Sequence, residues 1–241
     1  MEHVLSCEHD FALDLSVLQS TNCLHDGVVM PMCANSSACP GVCLVPKGGS
    51  TAFKTSMHAE LARAGTPLVY EPACAKVHCA RFPWPAWPVP QRVVRIVRHP
   101  LERLLSAYLD GKHLRRWPRY APFPPNASFA DVVRHVTTLP DSRVNPHFRR
   151  QTAMCAVPAS VPQRILKLEE YGVWRSWLLQ ELHWADDALP ATPVVQATTV
   201  ERVAAHYTPE LVTRVLAWAA PDLARFGYAN LTRRLSYQEA R

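Results

Sequence analysis

The chain has 241 residues, 48% of them hydrophobic and 19% charged, a composition that excludes a disordered protein and allows one sizeable core. Its 26 Lys and Arg against 20 Asp and Glu leave a net charge of +6. That excess is too diffuse for a nucleic-acid surface, and no Lys/Arg-rich helix concentrates it. It suits an acidic ligand or glycan as well as it suits an ordinary basic enzyme.

Residues 1–40 have weak periodicity and crowd Cys7, Cys23, Cys33 and Cys39 into a loop-rich lead-in, with Cys43 close behind. Cys74, Cys79 and Cys155 bring the count to eight, an even number that permits a disulfide framework of unread connectivity. Zinc is the rival reading, because Cys33, Cys39 and Cys43 lie near His9 and His25. Two knuckles at finger spacing are missing, so no metal is expected. Asn35, Asn126 and Asn230 each open a glycosylation sequon, and with the cysteines they point to a secretory-pathway lumen. No apolar run reaches the roughly 18 residues needed to span a bilayer, and the acidic N-terminus does not read as a signal peptide. The expectation is a lumenal domain without its membrane anchor or targeting segment.

From residue 41 onward the pattern is strand, loop, helix. "GVCLV" (41–45) reads as a buried strand, followed by the loop Pro46-Lys47-Gly48-Gly49-Ser50-Thr51. A helix then runs from about Thr51 to Ala64 with Phe53, Met57 and Leu61 on one side, stopped by Gly65 and Pro67. "PLVYE" (67–71) and "RVVRIV" (92–97) read as further strands of a largely parallel sheet, joined by the proline-fixed loop 82–90. A second helix starts near Leu101, its stripe formed by Leu101, Leu104, Leu105 and Tyr108. Ser128 caps a helix at 129–136, and "RILKLEEY" (164–171) is a strand running into a helix. Thr198 and Glu201 form a capping box, and Thr208 with Pro209 opens a helix ending near Ala219. The alternation predicts an α/β fold, a mostly parallel sheet flanked by helices.

A loop that leaves a buried strand and enters a helix aims its first N–H groups at the sheet's carboxyl edge, where they bind anions. Glycines let the backbone approach a phosphate closely, the hydroxyls of Ser50 and Thr51 add donors, and Lys47 adds a point charge. A nucleoside-triphosphate loop needs its lysine after the last glycine; here Lys47 stands before Gly48 and Gly49. Downstream, Arg98 ends a strand and can present a planar fork to a phosphate, with Ser106 two helical turns further on. Either motif alone could be a cap or an ordinary ion pair.

Together they resemble the Golgi carbohydrate sulfotransferases, particularly the chondroitin and dermatan 4-O-sulfotransferases and, more distantly, the heparan 2-O-sulfotransferases. That family's "PK-x-x-[ST]-T-x-x-K" loop binds the 5′-phosphosulfate of 3′-phosphoadenosine-5′-phosphosulfate (PAPS). Its "R-[DE]-P-x-x-R-L-x-S-A-Y" segment binds the 3′-phosphate. Lys47, Gly48, Gly49, Ser50, Thr51 and Lys54 fall on the first motif. Arg98, Pro100, Arg103, Ser106, Ala107 and Tyr108 fall on the second, with His99 in place of the usual acid. Weaker likenesses at 145–155, 165–171 and 207–228 extend the resemblance over roughly 41–228. It implies a P-loop-like sulfotransferase domain over 41–241 that uses PAPS as co-substrate and a carbohydrate as acceptor, an acidic glycan among the candidates.

The implied chemistry is in-line sulfuryl transfer to a hydroxyl, which needs a base and charge stabilisation on the leaving phosphate. Lys47 is the expected stabiliser and Lys54 a second donor ligand. His78, lying ahead of the Arg98 strand where related enzymes carry a catalytic histidine, is the expected base; His58 and Glu60 are held in reserve. His147, Arg149 and Arg150 are candidate acceptor contacts, and Glu169 and Glu170 read as structural. Trp84 and Trp87 either stack on sugars or simply pack their loop. Two alternatives stand: a non-catalytic, disulfide-stabilised glycan-binding protein on the same fold, and a P-loop phosphotransferase. The phosphotransferase would want a magnesium-binding Asp at a strand end, which "RIVRH" does not supply.

Overall fold

The computed structural model describes residues 29–31, 40–49, the positions 53, 56, 59, 60 and 63, then 69–70, 80–81, 91–110, 123, 126–155, 157, 159–191 and 200–228. Its main sheet has four strands in the order β1 (Val29–Pro31), β2 (Gly41–Leu44), β5 (Val93–Val97), β6 (Gln163–Lys167). The last three are parallel, with Leu44 opposite Ile96 and Ile96 opposite Leu166; β1 runs antiparallel to β2. Every residue of β2 and β5 is buried, as expected of parallel strands covered on both faces.

Two expectations change. "PLVYE" does not join the main sheet: β3 (Val69–Tyr70) pairs antiparallel with β4 (Ala80–Arg81) in a separate two-stranded ribbon. An apolar run announces burial but carries no record of which strand it pairs with. The lead-in, in turn, supplies β1, which extends the sheet beyond the first parallel strand.

The period-2 alternation of the strands divides the core. Val42, Leu44, Val94, Ile96 and Leu166 face the helix α3 (Tyr171–Leu182), burying Leu178, Leu179 and Leu182. On the opposite side Cys43, Val45 and Val93 pack with Met154 and Cys155, and Val97 packs with Phe226 and Tyr228. A second apolar cluster joins α1 (Pro100–Leu109), α2 (Phe129–Thr138), α4 (Val200–His206) and α5 (Pro209–Trp218) through Leu104, Leu105, Val132, Val136, Val203 and Val215. Truncating one of these fully buried leucines to alanine would cost about 2–5 kcal/mol.

The caps read at Ser128 and Thr208 are in place. Ser128 and Asp131 form a reciprocal capping box on α2. Thr208 accepts from the Leu211 N–H with Pro209 at the first helical position of α5. The last helix, α6 (Ala220–Phe226), stops at Gly227 with φ 68°, the left-handed conformation glycine adopts freely. Phe53, Ser56, Ala59, Glu60 and Arg63 are helical, in agreement with the expected helix after the loop. Thr198 lies outside the described residues, as does the loop 82–90 with Trp84 and Trp87. Among the described residues no helix is long and apolar enough to cross a membrane.

Candidate active site

The loop after β2 shows why two glycines stand together. A Cβ on Gly48 would sit 3.1 Å from the Val45 carbonyl oxygen and 3.2 Å from that of Ile96, so the backbone lies against the ends of two parallel strands. Gly49 has φ 87°, and a Cβ there would meet Leu168 Cδ1 at 3.0 Å. The Phe53 N–H donates to the Gly49 carbonyl at 3.2 Å, which starts the helical segment directly from the loop. Lys47 itself adopts φ 63°. A non-glycine residue there costs about 1–2 kcal/mol, a strain that proteins keep mainly at functional sites.

Two contacts hold this strained residue. Its ammonium forms an ion pair with Asp110, which caps the C-terminal end of α1. The preceding carbonyl, Pro46 O, accepts from Arg103 Nε at 2.9 Å. Arg103 is buried and also donates to the carbonyls of Arg149 (2.7 Å) and Pro146 (2.9 Å), so one guanidinium ties the loop to the 146–149 turn.

Arg98 leaves the end of β5 one residue past Val97. Its backbone is clamped by Gln151: the Arg98 N–H donates to Oε1 at 2.9 Å, and Nε2 donates to the Arg98 carbonyl at 2.8 Å. Gln151 is fixed in turn by the buried Asp222 carboxylate, which accepts from the N–H groups of Gln151 and Thr152, both at 2.8 Å. The Arg98 side chain is 4% exposed and donates through Nε to Glu102 at 3.2 Å. Its terminal Nη groups have no partner among the described residues. A buried guanidinium held from its side, with its fork unpartnered among the described residues, can receive an anion. Burial pushes the Glu102 carboxyl up, and Arg98 works against that shift.

Glu102, Ser106 and Asp110 are spaced i, i+4, i+8 and so form one stripe of α1, all half-buried. The stripe puts the Ser106 hydroxyl between a carboxylate holding Arg98 and a carboxylate holding Lys47. At 1.5 Å per residue the two carboxylate positions lie about 12 Å apart along the axis.

His99 caps the helix that follows it. Its Nδ1 accepts from the Leu101 N–H at 3.3 Å as the N-cap of α1, with Pro100 following. An accepting Nδ1 leaves the proton on Nε2, which is buried with no partner. Burial pulls the ring's pKa down to about 4, so His99 is neutral at pH 7. The His99 N–H donates to Glu169 at 2.6 Å, and Glu169 also accepts from the Tyr228 hydroxyl at 3.0 Å. That agrees with a structural role for Glu169. The Tyr228 hydroxyl is pushed up by burial and by Glu169 beside it.

The remaining expected residues divide. Ser50, Thr51, Lys54, His78 and the reserve His58 lie outside the described residues. The His147 ring nitrogen Nδ1 is 2.9 Å from Asn145 Oδ1, and Arg149 donates to the Val144 carbonyl at 3.3 and 3.2 Å. Arg150 pairs with Asp141 at 2.6 Å, and that hydrogen-bonded carboxylate pushes its guanidinium pKa up. These three sit on the turn that Arg103 grips, directly before Gln151. Cys43 is not free for zinc: it is bonded to Cys155, with Cα atoms 5.9 Å apart. Arg95, on the same face of the sheet, donates to the carbonyls of Gln151, Met154 and Cys155 at 2.8–3.0 Å, locking the same turn.

Reading the sequence missed Glu102, Asp110, Gln151 and Asp222. The first two were within reach, since they flank Ser106 at helical spacing. The other two carry no local signal.

Residues 76–228 match the profile of the Sulfotransferase family. The chain belongs to that family. The sulfotransferase match takes in β5, α1 with Arg98 and Ser106, the Gln151 turn and β6, and it begins after the Lys47 loop. No curated protein and no solved structure matches the chain. As a sulfotransferase it is assigned to sulfuryl transfer, and the main sheet with its flanking helices agrees with an α/β sulfotransferase fold.

Proposed function

We propose that this sulfotransferase moves a sulfuryl group from PAPS to a hydroxyl of a carbohydrate acceptor. The acceptor oxygen attacks sulfur in line, the bond from sulfur to the 5′-phosphate oxygen breaks, and the hydroxyl proton passes to a base. His78 is the proposed base. Lys47 neutralises the charge that grows on the leaving phosphate, a contact of the kind worth about 3–4 kcal/mol. Gly48 and Gly49, with Ser50, Thr51 and Lys54, line the phosphosulfate; Arg98 and Ser106 take the 3′-phosphate. His147, Arg149 and Arg150 are proposed to meet the acceptor, since their turn abuts the loop through Arg103.

The observation that carries this reading is Arg98: buried, held by Glu102 from the side, its fork unpartnered among the described residues, at the opposite end of α1 from Lys47. A donor with two separated anionic groups fits that pair of cations. The Cys43–Cys155 bond and the three sequons support a Golgi or other secretory-pathway lumen as the compartment. Thermal unfolding with adenosine 3′,5′-bisphosphate and with ATP–Mg tests the donor. Stabilisation by the bisphosphate is expected; stabilisation by ATP–Mg alone would overturn the reading and favour phosphoryl transfer.

A further inference from the structure

The pairing of Lys47 with Asp110 is unusual on electrostatic grounds. The C-terminal end of a helix carries partial negative charge and favours a cation. Helix α1 has no basic residue in its last turn and is capped there by an acid. Asp110 is half-buried, with 22% of its side chain exposed against 18% for Lys47, so solvent does little to relieve that placement. The Lys47 ammonium does. An acid placed against its helix and matched to the strained lysine of a glycine-rich loop breaks a local rule, as residues at functional sites do.

Comparison with Glu102 shows what Asp110 is for. Glu102 binds Arg98 through Nε and leaves the two Nη groups for a second anion, so arginine can hold both at once. An ammonium is a single point charge. A carboxylate and a phosphosulfate gathered on it in a half-buried site would repel each other. The two therefore compete for its charge.

We propose that Asp110 is a positioning residue that holds the place of the donor's 5′ anionic arm. It neutralises Lys47 in the absence of donor and surrenders the lysine when the phosphosulfate enters. Asp110 then competes with the donor for one cation, whereas Glu102 supports the donor's other cation. This inference rests on the donor reading given above.

A double-mutant cycle on the dissociation constant of adenosine 3′,5′-bisphosphate, measured by titration calorimetry, tests it. The proteins are wild type, Asp110→Asn, Lys47→Met and the double variant, with Glu102→Gln as contrast; thermal unfolding confirms that each is folded. Asp110→Asn is expected to bind about threefold more tightly, the scale of a partly exposed ion pair released. The double variant is expected to bind like Lys47→Met, because without the lysine there is nothing to compete for. Glu102→Gln is expected to weaken binding. Weaker binding by Asp110→Asn overturns the proposal, since Asp110 would then be aiming Lys47 at the ligand. Equal tightening in the Lys47→Met background overturns it too, because simple repulsion would explain the gain. So does tightening by Glu102→Gln, which would mark bulk charge. If wild type binds but Asp110→Asn changes nothing, the inference fails and the donor reading stands. If no variant binds the bisphosphate, both fall.

Discussion

Gln151 holds both backbone hydrogen-bonding groups of Arg98, accepting from its N–H at 2.9 Å and donating to its carbonyl at 2.8 Å. The amide does the work of an adjacent strand at a point where the sheet has ended. Gln151 is fully buried, so Gln151→Ala leaves two polar groups unsatisfied, each costing about 1–3 kcal/mol. Stability in urea is expected to fall by about 3 kcal/mol, and the bisphosphate to bind more weakly. Gln151→Glu is expected to fare no better: it cannot donate to the Arg98 carbonyl and sets a second carboxylate beside Asp222.

Arg98→Lys separates charge from shape. The substitution keeps a cation but removes the planar fork and the Nε contact to Glu102. Affinity for adenosine 3′,5′-bisphosphate is expected to drop about tenfold or more, the worth of a charged hydrogen bond. Affinity for 5′-AMP, which lacks the 3′-phosphate, should hardly change. An equal loss for both nucleotides would place Arg98 elsewhere than on the 3′ arm.

His99 gives the fold a dependence on acid. Its folded pKa is about 4 against 6.5 for a free imidazole. Between those values the unfolded chain binds a proton that the folded chain does not, so stability rises with pH there and falls on acidification. The His99 contribution is therefore fully present above about pH 6.5 and is lost as the pH falls towards 4, for a total of the order of 3 kcal/mol. Protonation at Nδ1 also removes the cap on the Leu101 N–H. His99→Asn keeps a good N-cap and carries no titration, so its melting temperature should change less between pH 6.5 and 4 than that of wild type.

The bond between Cys43 and Cys155 closes a segment of 112 residues in sequence. By chain entropy, losing such a cross-link costs about 4–5 kcal/mol. Cys43→Ser with Cys155→Ser should lower the melting temperature, and reductant should do the same to wild type alone. Cys43 lies four residues before Lys47 and Cys155 four after Gln151, so nucleotide binding is expected to weaken as well. Full binding by the double serine variant would make the bond purely a matter of stability.

What was legible in the sequence is what is carried by neighbours in the chain. The strand before the Lys47 loop, the strand that ends before Arg98 and the helix that carries Ser106 were readable from consecutive residues and helical spacing, whereas the donor roles of these residues came from the resemblance and belong to the proposal. The caps at Ser128 and Thr208 were readable for the same reason. Asp222 acts on Gln151 across 71 residues and Glu169 on His99 across 70, and no periodicity records such a meeting. The pairing of Cys43 with Cys155, and of β3 with β4 outside the main sheet, is likewise a property of the folded chain. Asp110 stood within reach at helical spacing from Ser106, but an acid at a helix end reads as a solvated charge until the lysine on it is seen.

The adjacency of β2 and β5 has a consequence for how such a protein can diversify. Lys47 and Arg98 depart from neighbouring parallel strands at nearly the same level, since Leu44 lies opposite Ile96. Both therefore start from the same edge of the sheet, and their side chains meet carboxylates eight residues apart on a single helix. The strand pairing and the helix behind this arrangement are held by backbone hydrogen bonding, which drift in surface side chains leaves untouched. On the proposed donor reading the two cations form a gauge cut into the scaffold, under which surface loops could be exchanged for new acceptors while the origin of both cations stays fixed.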